Sequence, residues 1–321
     1  MIADAAEPRV SVIMSVHNGQ KYLRSAVRSI LDQTFADFEF LIVNDGSVDG
    51  SARLLSKLAR ADRRVIVIDT PNQGLTKSLN LAIRRARGKF IARMDADDIS
   101  LPQRFEIQLR AFDQNPELVI VGSEVLLVDS RGWPIGKRGV AFQHEDIDRR
   151  LLNGDGGAMT HPVVMMRTQA VRDVGGYDER FTTTQDLDLF LRLAEIGKAV
   201  NLPEILLLWR QHPESINHRK FTTWSEMKRM ALTAAAQRRN VVLNVDAIVS
   251  KQIIPTKEPL RRLTYARQAT ANRYYVAGLR HAVLSTAAGE GFWAQMRLVK
   301  TCVKGMTKQA FAPALAARVN H

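Results

Sequence analysis

Three carboxylates, Asp95, Asp97 and Asp98, directly follow an apolar run at residues 90–94. Carboxylates this close repel one another, and a divalent cation with oxygen ligands relieves the repulsion. Aspartate is a poor strand residue, so the three belong in the loop after a strand, where open α/β sheets bind ligands. The cluster favours a metal or phosphate site. The alternative is a solvated turn in which Asp98 or Ser100 caps the next helix.

Apolar, β-branched runs alternate with amphipathic helical patterns through the first hundred residues. This alternation predicts βαβ units and an α/β fold with a doubly wound, mostly parallel sheet. The polar residues after each strand then share one edge, where Gly46 and Gly74 would let a nucleotide approach the backbone. No GxGxxG follows the first strand and no GxxxxGK[ST] occurs, which disfavours a dinucleotide fold and a P-loop. The predicted strands are residues 9–16, 38–43, 65–68 and 90–94, and the predicted helices contain residues 23–31, 49–59 and 75–86.

Helical and strand patterns continue to about residue 215, and only basic helical patterns follow. We therefore expect a catalytic domain at residues 1–220 and a basic helical region at residues 221–321. The further predicted elements are a helix at 102–115, one or two strands at 118–128, a hairpin turn at 131–136, a helix at 146–152, a strand at 163–166, a helix at 186–196 and a strand at 205–209.

The net charge of +13 is concentrated in the last third of the chain. Residues 1–221 carry 30 Lys and Arg against 29 Asp and Glu, whereas residues 222–321 carry 16 against 4. Such an asymmetry predicts an anionic partner for the basic region. Within it, a helical stripe is predicted to contact an anionic membrane surface, the catalytic domain or a second subunit. The stripe contains Phe292, Met296, Val299, Val303 and Met306, and the cations largely off it are Arg297, Lys300, Lys304 and Lys308, with Trp293 near the start.

The composition is that of a globular protein, with 45% hydrophobic and 25% charged residues. No signal-peptide pattern opens the sequence and no apolar run reaches 18 residues, so we expect a cytoplasmic protein without a membrane span. Cys302 is the one cysteine. It excludes an intramolecular disulfide or a cysteine metal cluster, and we expect it to be a small apolar helix residue.

Seven segments, in this order, resemble the family 2 glycosyltransferases, inverting enzymes of GT-A fold that move sugars from nucleotide donors. The resemblance covers about residues 9–215. The segments are residues 10–15 with Asn18, 29–34, 44–47, 74–75, 94–98, 175–179 and 185–189.

The resemblance implies roles on the donor side. Asp45 resembles the carboxylate that binds the nucleotide base, aided by Ser15 and His17, and Lys77 lies where a basic residue often meets the nucleotide. Asp95 and Asp97 match the DxD motif. Asp95 would face the ribose, and Asp97 would ligate an Mn²⁺ or Mg²⁺ ion that bridges the diphosphate.

On the acceptor side, Asp186 matches the general base, although Gln185 replaces the glutamate that usually precedes it. Asp188 is a fallback base that should point elsewhere, since residues two apart on a helix do not share a face. His212 resembles a histidine that some relatives bring to the metal or diphosphate. His161 and Arg210 are weaker candidates for acceptor or diphosphate contacts.

The favoured function is transfer of a sugar, most simply from a UDP-sugar, to a glycan or lipid-linked acceptor in surface polysaccharide assembly, with peripheral contact at the inner face of the membrane. One alternative is a nucleotidyltransferase, which the lack of a glycine-rich basic loop after the first strand disfavours. The other is a basic nucleic-acid or scaffold protein. Few aromatics accompany the basic charges, so we expect no nucleic-acid partner.

Overall fold

The computed structural model describes residues 7–212, 221–251, 262–286 and 292–306 of the 321-residue chain. The alternation predicted for the first hundred residues is confirmed, because each apolar run forms a strand and each amphipathic pattern a helix. The strands at residues 10–16, 38–45 and 90–93 are largely buried, whereas the strand at residues 65–70 is partly exposed. The strands are β1 (Val10–Val16), β2 (Phe38–Asp45), β3 (Val65–Thr70) and β4 (Phe90–Arg93), and the helices are α1 (Gln20–Leu31), α2 (Ser51–Ala61) and α3 (Leu75–Arg85).

Later elements extend the sheet and add helices. The strands are β5 (Ile99–Ser100), β6 (Leu118–Val128), β7 (Pro134–Arg138), β8 (Met165–Arg167) and β9 (Lys198–Arg210). The helices are α4 (Arg104–Gln114), α5 (His144–Leu152), α6 (Thr168–Asp173), α7 (Gln185–Ile196), α8 (Phe221–Arg239), α9 (Val245–Lys251), α10 (Arg262–Ala271), α11 (Tyr275–Thr286) and α12 (Phe292–Met306).

The strand order in the described residues is β3-β2-β1-β4-β8-β6-β9-β5, with β7 paired to β6. The pairs β1–β2, β1–β4 and β2–β3 are parallel, whereas β8 is antiparallel to β4 and β6. The expected α/β fold with a mostly parallel sheet is confirmed. Antiparallel pairing begins at β8, beyond the predicted βαβ units.

Two predicted strands are present with different bounds. The strand predicted at 163–166 is β8, Met165–Arg167, and a 3-10 helix at His161–Val163 precedes it. The last strand has 13 residues, not the five expected at 205–209. Asn201 fits inside β9 because its side-chain amide donates to the carbonyls of Ala141 and Ala158.

The chain divides into two compact units, at positions that differ from the predicted boundary at 220/221. Unit 1 contains residues 1–125, 139–207 and 220–253, and unit 2 contains residues 126–138, 208–219 and 254–321. Helices α8 and α9 therefore belong with the parallel strands of unit 1. Apolar residues of α8, Ala231, Leu232 and Ala235, are fully buried in the same core as α7.

Charge pairs reinforce the attachment of α8 within unit 1. Arg239, 15% exposed, pairs with Glu195 of α7 at 3.1 Å and with Asp148 of α5 at 2.8 Å, and it donates to the carbonyl of Leu191. Arg238 pairs with Glu195 at 2.8 Å. The basic end of α8 is thus part of the catalytic fold.

Unit 2 joins the β6–β7 hairpin to helices α10, α11 and α12. Arg280 of α11 pairs with Asp129 at 2.9 Å. Cys302 of α12 is buried as expected, with its sulfur 3.1 Å from the Thr270 hydroxyl oxygen.

The predicted helix near residues 291–310 is present as α12, but Cys302 marks its buried face. Met296, Val303 and Met306 of the predicted stripe are 37–47% exposed. Lys308 and the side chains of Phe292, Trp293 and Lys304 lie outside the described residues. Among the described helices, none is both long and apolar enough to cross a bilayer.

Replacing Arg239 by Met should lower the free energy of unfolding by about 2–3 kcal/mol, because Asp148 and Glu195 lose a partly buried cation. Urea unfolding of the full chain measures the change. Arg229→Met is the matched control on the same helix, since its pair with Asp246 is exposed and should contribute under about 1 kcal/mol. Equal effects of the two variants would contradict the assignment of α8 to unit 1.

Candidate active site

The parallel strands of unit 1 bring four predicted site residues to one edge of the sheet. Val16 of β1 lies opposite Asn44 of β2, and Ile13 lies opposite Arg93 of β4. The ends of β1, β2 and β4 are therefore adjacent. The residues gathered there are Ser15, His17, Asp45 and Asp95.

Asp45 organises the loops around this edge. Its two carboxylate oxygens accept hydrogen bonds from the backbone amides of Gln73 (2.8 Å) and Gly74 (3.0 Å). Its carbonyl oxygen lies 2.7 Å from Nδ1 of His17. Lys77 is exposed in the first turn of α3, directly after this loop. The first three βα loops are thus held together before any ligand binds.

Gly46 is required where two of these loops touch. Its φ is +65°, and a β-carbon there would lie 2.5 Å from the amide nitrogen of Asn72. A larger residue would strain the backbone and push the β3–α3 loop away from Asp45. The sequence analysis singled out this glycine for close backbone approach, and the structure supplies the steric reason.

Behind the acidic cluster, the protein buries two arginines. Arg93 is 2% exposed and forms an ion pair with Asp95 at 2.5 Å. Arg104 is fully buried and donates to the Arg93 carbonyl at 2.7 Å and to Oε1 of Gln108 at 3.1 Å. Burial and the neighbouring Arg93 charge lower the pKa of Arg104 to about 9, against the effect of Asp98. Burial also opposes the charge on Arg93, but Asp95 more than offsets it and raises the pKa of Arg93.

The interpretation of Asp98 as a helix cap is wrong. Ile99–Ser100 form β5, and α4 begins later, after Gln103. Asp98 is fully buried and its charge acts on both Arg93 and Arg104, so its role is that of a buried counter-ion.

Asp186 lies at the start of α7, after Thr184, which has a left-handed backbone with φ of +57°. It is half-buried, and its Oδ1 accepts from the amide of Leu187 at 2.9 Å. Asp188, the fallback base, is 3% exposed and pairs with Arg192 at 2.5 Å. Arg192 also donates to the carbonyls of Val174 and Gly176, so Asp188 has a structural role.

Tyr177 is a buried tyrosine on which the charges of the predicted site residues Asp95 and Asp186 act. It is 1% exposed, and its hydroxyl shares a 2.6 Å hydrogen bond with Nε2 of His161. Burial raises the pKa of Tyr177, with Arg93 opposing and the charges of Asp186 and Asp95 adding to the effect. The charges of both Asp95 and Asp186 therefore act on the phenol, which stays protonated.

His161 is 8% exposed and packs edge-on against the rings of Tyr177 and Phe190. Burial, together with the charge of Arg93, lowers its pKa well below the usual value, so the ring is neutral. Contact of His161 with an acceptor stays a prediction. In this structure its hydrogen bond orients Tyr177.

Two predicted residues belong to unit 2. Arg210, at the end of β9, is 6% exposed and donates to the carbonyls of Asp129 (3.3 Å) and Ser130 (3.2 Å). His212 is also buried. Their roles at the metal or diphosphate stay predictions.

Comparison with known families identifies the family to which the chain belongs. The sequence pattern of Glycosyl transferase family 2 matches residues 11–175, about half of the chain and most of unit 1's nucleotide-binding part. The chain belongs to this family.

Two relatives illustrate how far this family 2 glycosyltransferase resembles characterised sequences. The putative glycosyltransferase EpsE of Bacillus subtilis is 30% identical over 273 residues, 84% of this chain and 93% of EpsE. The amylovoran biosynthesis glycosyltransferase AmsE of Erwinia amylovora is 33% identical over 224 residues, 68% of this chain and 81% of AmsE.

Two solved structures share the fold of this glycosyltransferase. S. aureus TarS 1–349, in complex with UDP-GlcNAc, has a TM-score of 0.59 at 15% identity, covering 95% of this chain and 93% of that one. Mannosyltransferase PcManGT from Pyrobaculum calidifontis, in complex with GDP-Man and Mn²⁺, has a TM-score of 0.53 at 16% identity, covering 95% and 89%. At these identities the likeness establishes the fold alone.

The acidic cluster of the glycosyltransferase offers oxygen ligands of the kind that hard divalent metal ions prefer. Asp95, Asp97 and Asp98 each offer a carboxylate oxygen, and these oxygens lie within 4.8 Å of one another. All-oxygen ligands suit Mg²⁺ or Mn²⁺ and not zinc. Asp97 is half-buried, whereas Asp95 and Asp98 already neutralise the buried arginines.

Sequence reasoning did not single out Arg93, Tyr177 or Lys228. Arg93 carried a usable signal, since a single cation in an apolar strand must find a buried partner. Tyr177 lay within the 175–179 segment that resembles the family but was given no role, and Lys228 of α8 was assigned to the basic helical region. No local pattern marks either residue, because their partners are distant in sequence.

Proposed function

We propose that unit 1 is an inverting, metal-dependent glycosyltransferase that moves a sugar from a nucleoside diphosphate donor to an acceptor hydroxyl. The observation that carries the proposal is the gathering of Asp45 and Asp95 at one sheet edge, while the charges of both Asp95 and Asp186 act on the buried Tyr177. This arrangement supports a nucleotide on one side and a base on the other.

On the donor side, Asp45, Ser15 and His17 would bind the nucleoside, and Asp95 the ribose. The carboxylate of Asp45 is held by two backbone amides, which leaves lone pairs for a ligand and costs little reorganisation on binding. Lys77 is exposed beside the loop and could meet phosphate oxygens.

Asp97 would be the main protein ligand of a bound Mn²⁺ or Mg²⁺. Such an ion, when bound, stabilises the negative charge that the departing nucleoside diphosphate gains. Arg93 and Arg104 lie behind the cluster and reduce the repulsion among its carboxylates, so the ligands are held in place without the ion. His212 is a further candidate ligand.

On the acceptor side, Asp186 would act as general base. As the acceptor oxygen attacks C1 of the sugar, its proton passes to the Asp186 carboxylate. The bond from C1 to the phosphate oxygen breaks with both electrons on the leaving diphosphate, and attack from the opposite face inverts the anomeric centre. Asp186 is the better base because Asp188 is committed to Arg192.

For the substrate class we propose a UDP-sugar donor and an acceptor of surface polysaccharide assembly, either a glycan or a lipid-linked one. The name of AmsE, an amylovoran biosynthesis enzyme, and the UDP-GlcNAc bound by TarS support this choice. Membership of the glycosyltransferase family disfavours the nucleotidyltransferase and scaffold alternatives.

For the basic region we propose contact with an anionic membrane surface at the inner face. Exposed Met296 and Val303 on α12 lie on a helix that also exposes Arg297 and Lys300, and apolar and basic side chains together suit a lipid interface. Such contact would bring unit 2 to a lipid-linked acceptor.

Metal-dependent donor binding is tested by thermal shift. UDP or GDP with Mn²⁺ should raise the Tm of the full chain, since a ligand that binds only the folded state stabilises it. Asp97→Ala should lose most of this increase, and Asp113→Ala, which alters an exposed carboxylate, should keep it. No response of the native protein to any nucleotide would contradict the proposal.

The base is tested with Asp186→Asn. This isosteric change should retain the nucleotide-induced Tm increase and lower kcat for nucleoside diphosphate release from the sugar donor by about 10²- to 10⁴-fold. Asp146→Asn, at an exposed position of α5, should retain native turnover. Native turnover by Asp186→Asn would move the base to another residue.

Membrane contact is tested by sedimentation with phosphatidylglycerol-containing vesicles at low salt. The double variant Arg297→Glu/Lys300→Glu should lose most of the binding. Arg84→Glu/Arg85→Glu makes the same change in net charge on exposed residues of α3 and should bind like the native chain. Equal losses would mean that net charge, and not α12, determines binding.

A further inference from the structure

Lys228 of α8 is a buried lysine in the catalytic unit, only 3% exposed. Lysine is almost never buried without a charged partner. Its ammonium lies 3.6 Å from the centre of the Trp224 ring, one helical turn earlier. The lysine side chain packs over Gly154, because a β-carbon at that glycine would lie 3.1 Å from Cδ of Lys228. The same β-carbon would lie 3.3 Å from Leu232 of α8 and from Ile248 of α9. This packing fixes where the ammonium lies.

Two carboxylates act on that ammonium, Asp155 after α5 and Asp186 at the start of α7. Burial lowers the pKa of Lys228 to about 8, and the charges of Asp155 and Asp186 oppose the decrease. Lys228 is therefore mostly protonated at neutral pH. Asp155 already pairs with Arg150 at 2.7 Å and accepts from the amide of Gly157 at 2.9 Å. The loop that the Lys228 side chain crosses at Gly154 also reaches the start of α7, since a β-carbon on Gly156 would lie 3.9 Å from Cβ of Leu187, the residue after Asp186. Lys228 is therefore a cation of α8 whose charge acts on Asp186.

Other charged groups on the surrounding elements are committed elsewhere. Arg229, the next residue on α8, pairs with Asp246 of α9. Glu195 of α7 pairs with Arg238 and Arg239 at the far end of α8. Asp188 of α7 pairs with Arg192. Asp155 and Asp186 are therefore the carboxylates whose charges act on the Lys228 ammonium.

We propose that Lys228 is a positioning residue for Asp186. The Lys228 ammonium keeps the Asp186 carboxylate ionised and ready to accept the proton of the acceptor hydroxyl. The inference rests on the proposed role of Asp186 as general base. A cation beside a carboxylate favours its charged form, so the base remains unprotonated to lower pH. Lys228 belongs to the helix that the sequence assigned to a separate basic region, and the structure brings it to the reaction.

The first test is the pH dependence of kcat/KM for nucleoside diphosphate release from the nucleotide sugar selected by thermal shift. Without the ammonium, Asp186 protonates at higher pH, so Lys228→Gln should move the acidic limb of the profile upward by about 0.5–1 pH unit. Lys228→Arg should restore the native limb because it keeps the charge. Arg229→Gln, which removes one cation from the exposed side of α8, is the matched control.

An unshifted acidic limb in a folded Lys228→Gln variant, with Asp186→Asn inactive, would overturn the inference and leave the proposed function intact. Active Asp186→Asn, or a native chain without turnover, would instead contradict the proposed function. Urea unfolding and the nucleotide-induced Tm increase report whether Lys228→Gln remains folded. A merely structural lysine would lower stability or kcat without moving the limb.

A second measurement needs no donor. In protein labelled with ¹³C at lysine Cε, the Lys228 signal is identified by its absence from Lys228→Gln, and its titration gives the pKa directly. Because coupled groups affect one another reciprocally, Asp186→Asn should lower the Lys228 pKa by about 0.5 unit or more. An unchanged pKa would overturn the inference.

Discussion

Charge burial at the carboxyl end of β4 is the constraint on which the nucleotide edge depends. Arg93 and Arg104 are withdrawn from water, and each would cost several kcal/mol if it had no counter-charge, roughly 3–5 kcal/mol when one partner of a buried pair is removed. Asp95 and Asp98 supply that charge from the loop just beyond the strand. The same pairing holds the carboxylates close together. The buried cations by themselves therefore require carboxylates at this position, in addition to any requirement of a bound metal ion.

This arrangement makes the site rigid before a substrate arrives. Arg104 also holds the carbonyl of Arg93, and Asp45 fixes the β3–α3 loop by two backbone amides. Groups that need not reorganise during the reaction stabilise developing charge more effectively. Tyr177 and His161 share a buried hydrogen bond, and both stay neutral because burial disfavours their charged forms.

The catalytic unit extends past the family 2 pattern into the basic part of the chain. Helix α8 packs its alanines and Leu232 on the core and pairs its terminal arginines with α5 and α7. Acidic residues of α5 and α7 therefore neutralise part of the positive charge of α8. The net charge of residues 222–321 overstates what is available to an external anion, and α12 contributes exposed cations of its own.

The sequence by itself determined the βαβ half of the fold, the edge at which the site lies and the identities of Asp45, Asp95, Asp97 and Asp186 as candidates. The fold and the edge follow from local periodicity and from the position of polar residues after strands, both of which are properties of neighbours in the chain. The choice of the four candidates also rests on the resemblance to the family 2 segments. The roles proposed for these residues remain to be tested. Tertiary structure alone decided that Asp98 is a counter-ion and that α8 joins unit 1. It also decided the ends of β9 and buried Lys228 where the charges of Asp155 and Asp186 act on it. In each case the deciding partner lies on another element, and the cost of burying an uncompensated charge or amide selects the pairing only once the chain has folded.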